Sequence, residues 1–156
     1  MTIDFNIMLL KIDPVRKAEW VAALRSGDYE RGKGYLCKDN SFCCLGVITD
    51  LAVQAGVLEP PHVNDVDDDV YCIYDAGDGG VGTSTALPVQ VQKWLGMTSV
   101  PLEPKNDPRV IVTPAIQARL MELDSGFFKH SRLSLSILND AGMTFDEIAD
   151  IIEEQL

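Results

Sequence analysis

The 156-residue chain has no Lys or Arg anywhere from residue 39 to residue 92, and none from residue 140 onward. With 24 acidic against 13 basic side chains its formal net charge is −11. Binding to DNA, RNA or an anionic membrane rests on neutralising phosphates with Lys and Arg, so those partners are disfavoured. Long apolar runs are also missing. The longest one near the N-terminus, Ile7 to Leu10, is far short of a membrane span, and acids stand where an export signal needs bases. Paired zinc ligands are missing too. The cysteines are spaced C-x5-C-C (Cys37, Cys43, Cys44) with Cys72 isolated downstream, and His62 is the only nearby imidazole. Four thiols in a chain without an export signal are expected to be reduced and buried, in a cytoplasmic setting.

No internal repeat, low-complexity tract or long linker divides residues 1–156, which read as a single domain. A composition of 46% hydrophobic and 24% charged residues fits a soluble globular fold. A chain of this size buries roughly 70% of its unfolded surface and needs neither metal nor disulfide for a core. No metal or cofactor is expected.

The charge is unevenly spread. Residues 39–92 carry nine acids and residues 140–156 carry six, while the remaining segments are each slightly basic. Such blocks serve as solvated faces that keep a small protein soluble, or as surfaces that steer towards a basic partner.

Local signals give an α+β fold, with about five helices around a small, mostly antiparallel sheet, ending in a helical hairpin. Asp13 as N-cap, Pro14 at the first position and Gly27 as stop bracket a first helix. Val15, Ala18, Val21 and Ala22, with Trp20 and Leu24 beside them, form its apolar stripe. Cys44, Ile48, Leu51 and Ala55 mark a second helix that faces inward. A strand is expected near Tyr35 to Cys37, and another where Val63 to Tyr74 runs into VYCIY. A short helix over Pro88 to Leu95 should bury Val91 and Trp94. RVIV reads as a strand, and Thr113-Pro114 opens a helix with Ile116, Leu120 and Leu123 inward. Ser131 is expected to cap a helix through Leu138. Thr144 and Glu147 form a capping box for the last helix, with Met143 and Ile148 at staple spacing.

Motif-like strings are weak on inspection. An EF-hand loop from Asp65 would need Gly at Val70 and Glu at Ala76. The glycine loop at Gly77–Gly82 lacks the Lys-Ser/Thr of a phosphate cradle. LSILNDAGMTFDEIADII resembles the first half of a helix-turn-helix, but its acids and the end at Leu156 leave no recognition helix. No local motif pairs a cysteine with His62 or His130, so an enzyme is not expected. The segment Arg25 to Lys38 stands out. Its bases, glycines and tyrosines suit a small anion, with Arg25, Tyr29, Arg31 and Lys33 as candidate ligands of something nucleotide-like.

The strings Trp20-x3-Leu24-Arg25-Ser26-Gly27-x-Tyr29, Gly32-x-Gly34-x-Leu36, Phe42-Cys43-Cys44-Leu45-Gly46-Val47 with Asp50-Leu51, Leu87-Pro88, Trp94-Leu95-Gly96 and Leu138-Asn139-Asp140-x-Gly142 with Ile148-Ala149 stand out together. They resemble a family of small proteins from bacteriophage and prophage genomes. The resemblance implies a phage origin and the host cytoplasm, and carries no activity. The leading expectation is an acidic accessory protein that binds and inhibits a basic host protein, such as a nuclease or a nucleic-acid-binding defence complex, by imitating the charge of DNA. Asp65, Asp67, Asp68, Asp69, Asp75 and Asp78, with the acidic C-terminal helix, would form its contact surface. The oligomeric state is left open.

Overall fold

A proline at the first helical position and an aspartate before it start α1, Pro14–Arg25, in the computed structural model, which describes residues 11–66, 69–75, 82–97 and 106–156. The Asp13 carboxylate accepts from the N–H groups of Val15 and Arg16, satisfying two donors that the helix itself leaves open. Three very short strands follow: β1 (Glu30–Arg31), β2 (Cys37–Lys38) and β3 (Ser41–Phe42). Next come α2 (Cys44–Gln54) and the strands β4 (His62–Val66) and β5 (Asp69–Ile73). The chain continues through α3 (Val89–Trp94), β6 (Arg109–Ile111), α4 (Pro114–Glu122), a 3-10 turn (Gly126–Lys129) and β7 (Arg132–Ser134). It closes with α5 (Leu135–Ala141) and α6 (Phe145–Gln155).

The strands form a five-stranded sheet of order β1-β3-β2-β5-β4 and a separate ribbon, β6–β7. Only the β1–β3 pair is parallel. The described residues therefore form an α+β domain of six α-helices ending in the α5–α6 hairpin.

α2 is the centre of the core. Cys44, Leu45, Gly46, Val47, Ile48, Thr49 and Ala52 are all buried, and α1, α3 and α5 pack on it. The Trp20 indole, fully buried, donates to the Cys44 carbonyl at 3.0 Å and ties α1 to the start of α2. α6 packs on α1, α5 and β6. The Gln155 amide takes the place of a neighbouring strand, accepting from Ile111 N–H at 2.7 Å and donating to Ile111 C=O at 2.9 Å.

The strand expected at VYCIY is β5, which pairs with β4 in a hairpin, Val66 opposite Asp69. Three expectations need correcting. The α1 stripe divides: Trp20, Val21 and Leu24 are buried, whereas Val15, Ala18 and Ala22 are exposed. Position on the helix decides this rather than size, since Val21 is buried and Val15, the same residue type, is 61% exposed. The helix expected from Ser131 starts only at Leu135, because Arg132–Ser134 pair with Arg109–Ile111. Trp94 is half-buried, with the Arg16 guanidinium 4.8 Å from its ring centroid. The last helix matches its sequence signals, as Thr144 and Glu147 make both bonds of the capping box and Met143 and Ile148 are buried.

Candidate functional site

Alternation of side chains along paired strands decides what the β4–β5 hairpin presents. Val63 stands opposite Cys72 and Asp65 opposite Val70, so these four share one face. Cys72 is at the core end of that face and is buried. Further out Val63 is 64% and Val70 37% exposed, with the exposed Asp65 between them. The other face carries Asn64, whose amide donates to the Tyr71 hydroxyl at 2.8 Å, and Tyr71 in turn contacts the Tyr35 ring. Asp39 fastens the hairpin to the β2–β3 turn: its N–H donates to Val70 C=O at 2.7 Å and its carboxylate accepts from Val70 N–H at 3.3 Å. Among the described residues β4 is an edge strand, with no strand beside its outer backbone groups.

Three of the six acids expected at a contact surface are therefore placed on or just beyond this hairpin. Asp65, Asp69 and Asp75 are exposed. Lys38 reaches Asp69 at 3.5 Å, a solvent-exposed pair that is worth little in such a setting. Asp67, Asp68 and Asp78 lie outside the described residues. The acids of α6 are differently placed. Arg25 bonds Asp150 at 2.5 Å and Glu153 at 2.8 Å, and Arg119 bonds Glu147 at 2.7 Å. Three of the six acids in residues 140–156 are thus paired within the molecule, by two arginines. The hairpin packs on β2 and α6 packs on α1, so the two acidic blocks are built on different parts of the fold.

A second feature gathers strings that are distant in sequence. Asn139, fully buried in α5, accepts from Cys44 N–H at 3.2 Å and donates to Gly32 C=O at 2.8 Å. Its own carbonyl accepts from Arg31 at 2.8 Å, and Asp140 accepts from Gly34 N–H at 3.0 Å. Beside this junction a cleft of about 310 Å3 is lined by Cys43, Asp107, Ser136 and Asp140 among others. Burial raises the pKa of Asp107, against the lowering effect of its bonds from Ser136. Among the described residues no three His, Cys, Asp or Glu side chains gather as a bound metal ion would need.

A family model described as a domain of unknown function, DUF8296, matches residues 12–156. The chain belongs to the DUF8296 family. That match takes in the hairpin, the Asn139 junction and every element named above. Neither the curated proteins nor the solved structures contain a match. Among the described residues of this DUF8296 domain, no helix is long and apolar enough to cross a membrane.

The anion-binding residues expected in the Arg25–Lys38 segment are drawn towards separate elements. Arg25 is held by α6, as above. The Tyr29 hydroxyl donates to Asp50 of α2 at 2.5 Å, and burial followed by this carboxylate raises its pKa. Arg31 is bound to the α5 carbonyl, and Lys33 is exposed. Their hydrogen bonds hold the fold together instead of converging on one cavity. The apolar members of the hairpin, Val63 and Val70, were not singled out from the sequence. His62-Val63-Asn64-Asp65-Val66 shows no strict alternation, its valines standing three apart, and the β-branched and aromatic run Val70-Tyr71-Cys72-Ile73 is the signal nearest to them.

All four cysteines are buried free thiols. Burial pushes Cys43 up to about 11 and Cys44 well above its ordinary value. Burial, then its neighbour Cys72, pushes Cys37 up to about 12. Since the thiolate is the reactive form, the folded protein should resist iodoacetamide at about pH 8 and gain four alkyl groups only when unfolded in urea. Intact mass reads the outcome, and rapid labelling of one thiol in the native protein would contradict this burial.

Proposed function

We propose that this DUF8296 domain is a phage-encoded, non-enzymatic accessory protein of the host cytoplasm. It docks on a basic host protein and blocks it, the target being a nuclease or a nucleic-acid-binding defence complex. The observation that carries this reading is the hairpin's exposed mixture of acids and apolar side chains, with Val63, Asp65 and Val70 on one face and Asp69 on the other. Apolar groups that anchor a contact, rimmed by charge of one sign, suit a partner surface of opposite charge. An edge strand adds backbone groups that a partner can meet. A net charge of −11 supplies the long-range attraction. Phage origin rests on the strings shared with phage proteins, and imitation of DNA on the sign of the charge.

The contact is expected to be salt-sensitive. Immobilised protein should retain basic host proteins at about 0.05 M salt and release them near 0.5 M, where the screening length is only a few ångströms. Asp65→Lys, Asp69→Lys and Asp75→Lys together should lower the association rate with a retained protein at least about tenfold. Val63→Ser should instead speed dissociation. A reversed-charge variant that captures the same proteins at the same rate would refute the reading.

A further inference from the structure

The β6–β7 ribbon buries Val110 and Leu133, so its register sends Arg109, Ile111, Arg132 and Ser134 to the other face. That face borders a cleft of about 350 Å3 walled by the 3-10 turn with Phe127 and His130. Two guanidinium groups and an imidazole thus line one cavity in a protein of net charge −11. Elsewhere Arg16, Arg25 and Arg119 are each held by acidic side chains, whereas Arg109 makes no ion pair with any described residue. One carboxylate, Asp107, also lines the cleft. It is engaged by the N–H and hydroxyl of Ser136, at 3.3 and 2.5 Å.

Apart from Ser134 the rest of the lining is apolar or aromatic. Phe127 is 43% exposed, with its ring centroid 5.9 Å from that of His130. Ile137 adds aliphatic surface. Arginines on neighbouring strands are suited to the oxygens of a phosphate, and an exposed ring beside them offers a stacking face. The cavity volume falls within the usual range for small-ligand sites.

We propose that this cleft binds a phosphate monoester bearing an aromatic base, a nucleoside monophosphate being the simplest member of the class. Arg109 and Arg132 take the phosphate, and Phe127 with His130 takes the base. The ligand class is the one expected for the Arg25–Lys38 segment, but the position is different, and nothing in it depends on the acidic hairpin.

Calorimetric titration with adenosine 5′-monophosphate, ribose 5-phosphate and adenosine tests it. The monophosphate should bind saturably, and each fragment at least about tenfold more weakly. Arg109→Ala should weaken the monophosphate about tenfold, the usual scale for losing a charged hydrogen bond. Phe127→Ala should erase the monophosphate's advantage over ribose 5-phosphate. Both side chains are exposed, so both variants should keep the wild-type circular dichroism spectrum. Absence of saturable binding overturns the proposal, as does wild-type affinity in Arg109→Ala. So does a loss of binding confined to Arg25→Ala, which would return the ligand to the other segment.

Discussion

Gly46→Ala is expected to lower the stability of the protein by at least about 3 kcal/mol, the upper part of the range for inserting an atom into a packed core. In an ordinary helix interior the same change is stabilising by about 1 kcal/mol, so the sign itself is diagnostic. Gly46 lies in the first turn of α2, where a β-carbon would fall inside the van der Waals envelope of the Leu36 carbonyl oxygen, with the carbonyl carbon 2.6 Å away. Backbone, not a flexible side chain, is the obstacle. Leu36 cannot easily retreat, since it is fully buried and its N–H donates to Ser84 C=O at 2.8 Å. Marginal stability of about 5–15 kcal/mol makes such a loss a large share of the whole. Urea unfolding followed by Trp20 and Trp94 fluorescence gives the number. Gly126→Ala, where nothing lies within 4 Å of the added carbon, is the control and should stay within about 0.5 kcal/mol of wild type. Equal midpoints for Gly46→Ala and wild type would mean that α2 does not approach the sheet this closely.

The close approach at Gly46 explains the small residues of Cys43-Cys44-Leu45-Gly46 as a packing device, a reading open to the sequence because small side chains at a helix start permit contact with a sheet. The helices with local signals were legible for the same kind of reason. Asp13-Pro14 and the Thr144–Glu147 box act within one turn of chain, so no distant residue is needed to decide them. Elements made by distant pairing were not. β1 and β3 have two residues each and exist through their partners, with Glu30 opposite Ser41. Arg132–Ser134 left the expected helix because Arg109–Ile111 offered them a ladder. Periodicity identified α1 but not its buried side, as Val15 and Ala18 repeat at helical spacing on the outside while Trp20 and Leu24 fill the core.

Charge was legible as a count and illegible as a surface. Six acids in residues 140–156 mark an acidic helix, but the arginines that compensate it, Arg25 and Arg119, come from α1 and α4. The fold likewise supplies acceptors to two bases of the Arg25–Lys38 segment, the α6 carboxylates to Arg25 and the Asn139 carbonyl to Arg31. Between residues 39 and 92 no such base is available in the sequence, and among the described residues Asp69 of the hairpin pairs with Lys38, from β2.

Asn139 should prove as critical as Gly46, for a different physical reason. Its side chain is fully buried and satisfies two backbone groups at once, the Cys44 N–H at the start of α2 and the Gly32 C=O beyond β1. The first of these is a donor that a helix start always leaves open, here placed where water does not reach. Asn139→Ala would leave both groups without their partner, at about 1–3 kcal/mol each, for a loss of about 2–6 kcal/mol. Asn139→Leu restores the side-chain volume but not the bonds, so it should recover little of that loss. If leucine restores stability, the site is a matter of packing and the hydrogen bonds are incidental. Asp140→Asn supplies the comparison on the adjacent residue: it is exposed, it keeps an acceptor for Gly34 N–H, and it should shift stability by less than about 0.5 kcal/mol. Amide exchange at Cys44 gives a local readout, because the N–H freed in Asn139→Ala should exchange faster than its neighbours along α2 even after correction for the lower global stability. One asparagine thereby joins α5, α2 and the segment after β1, and the sequence strings that contain it have a structural reason to occur together.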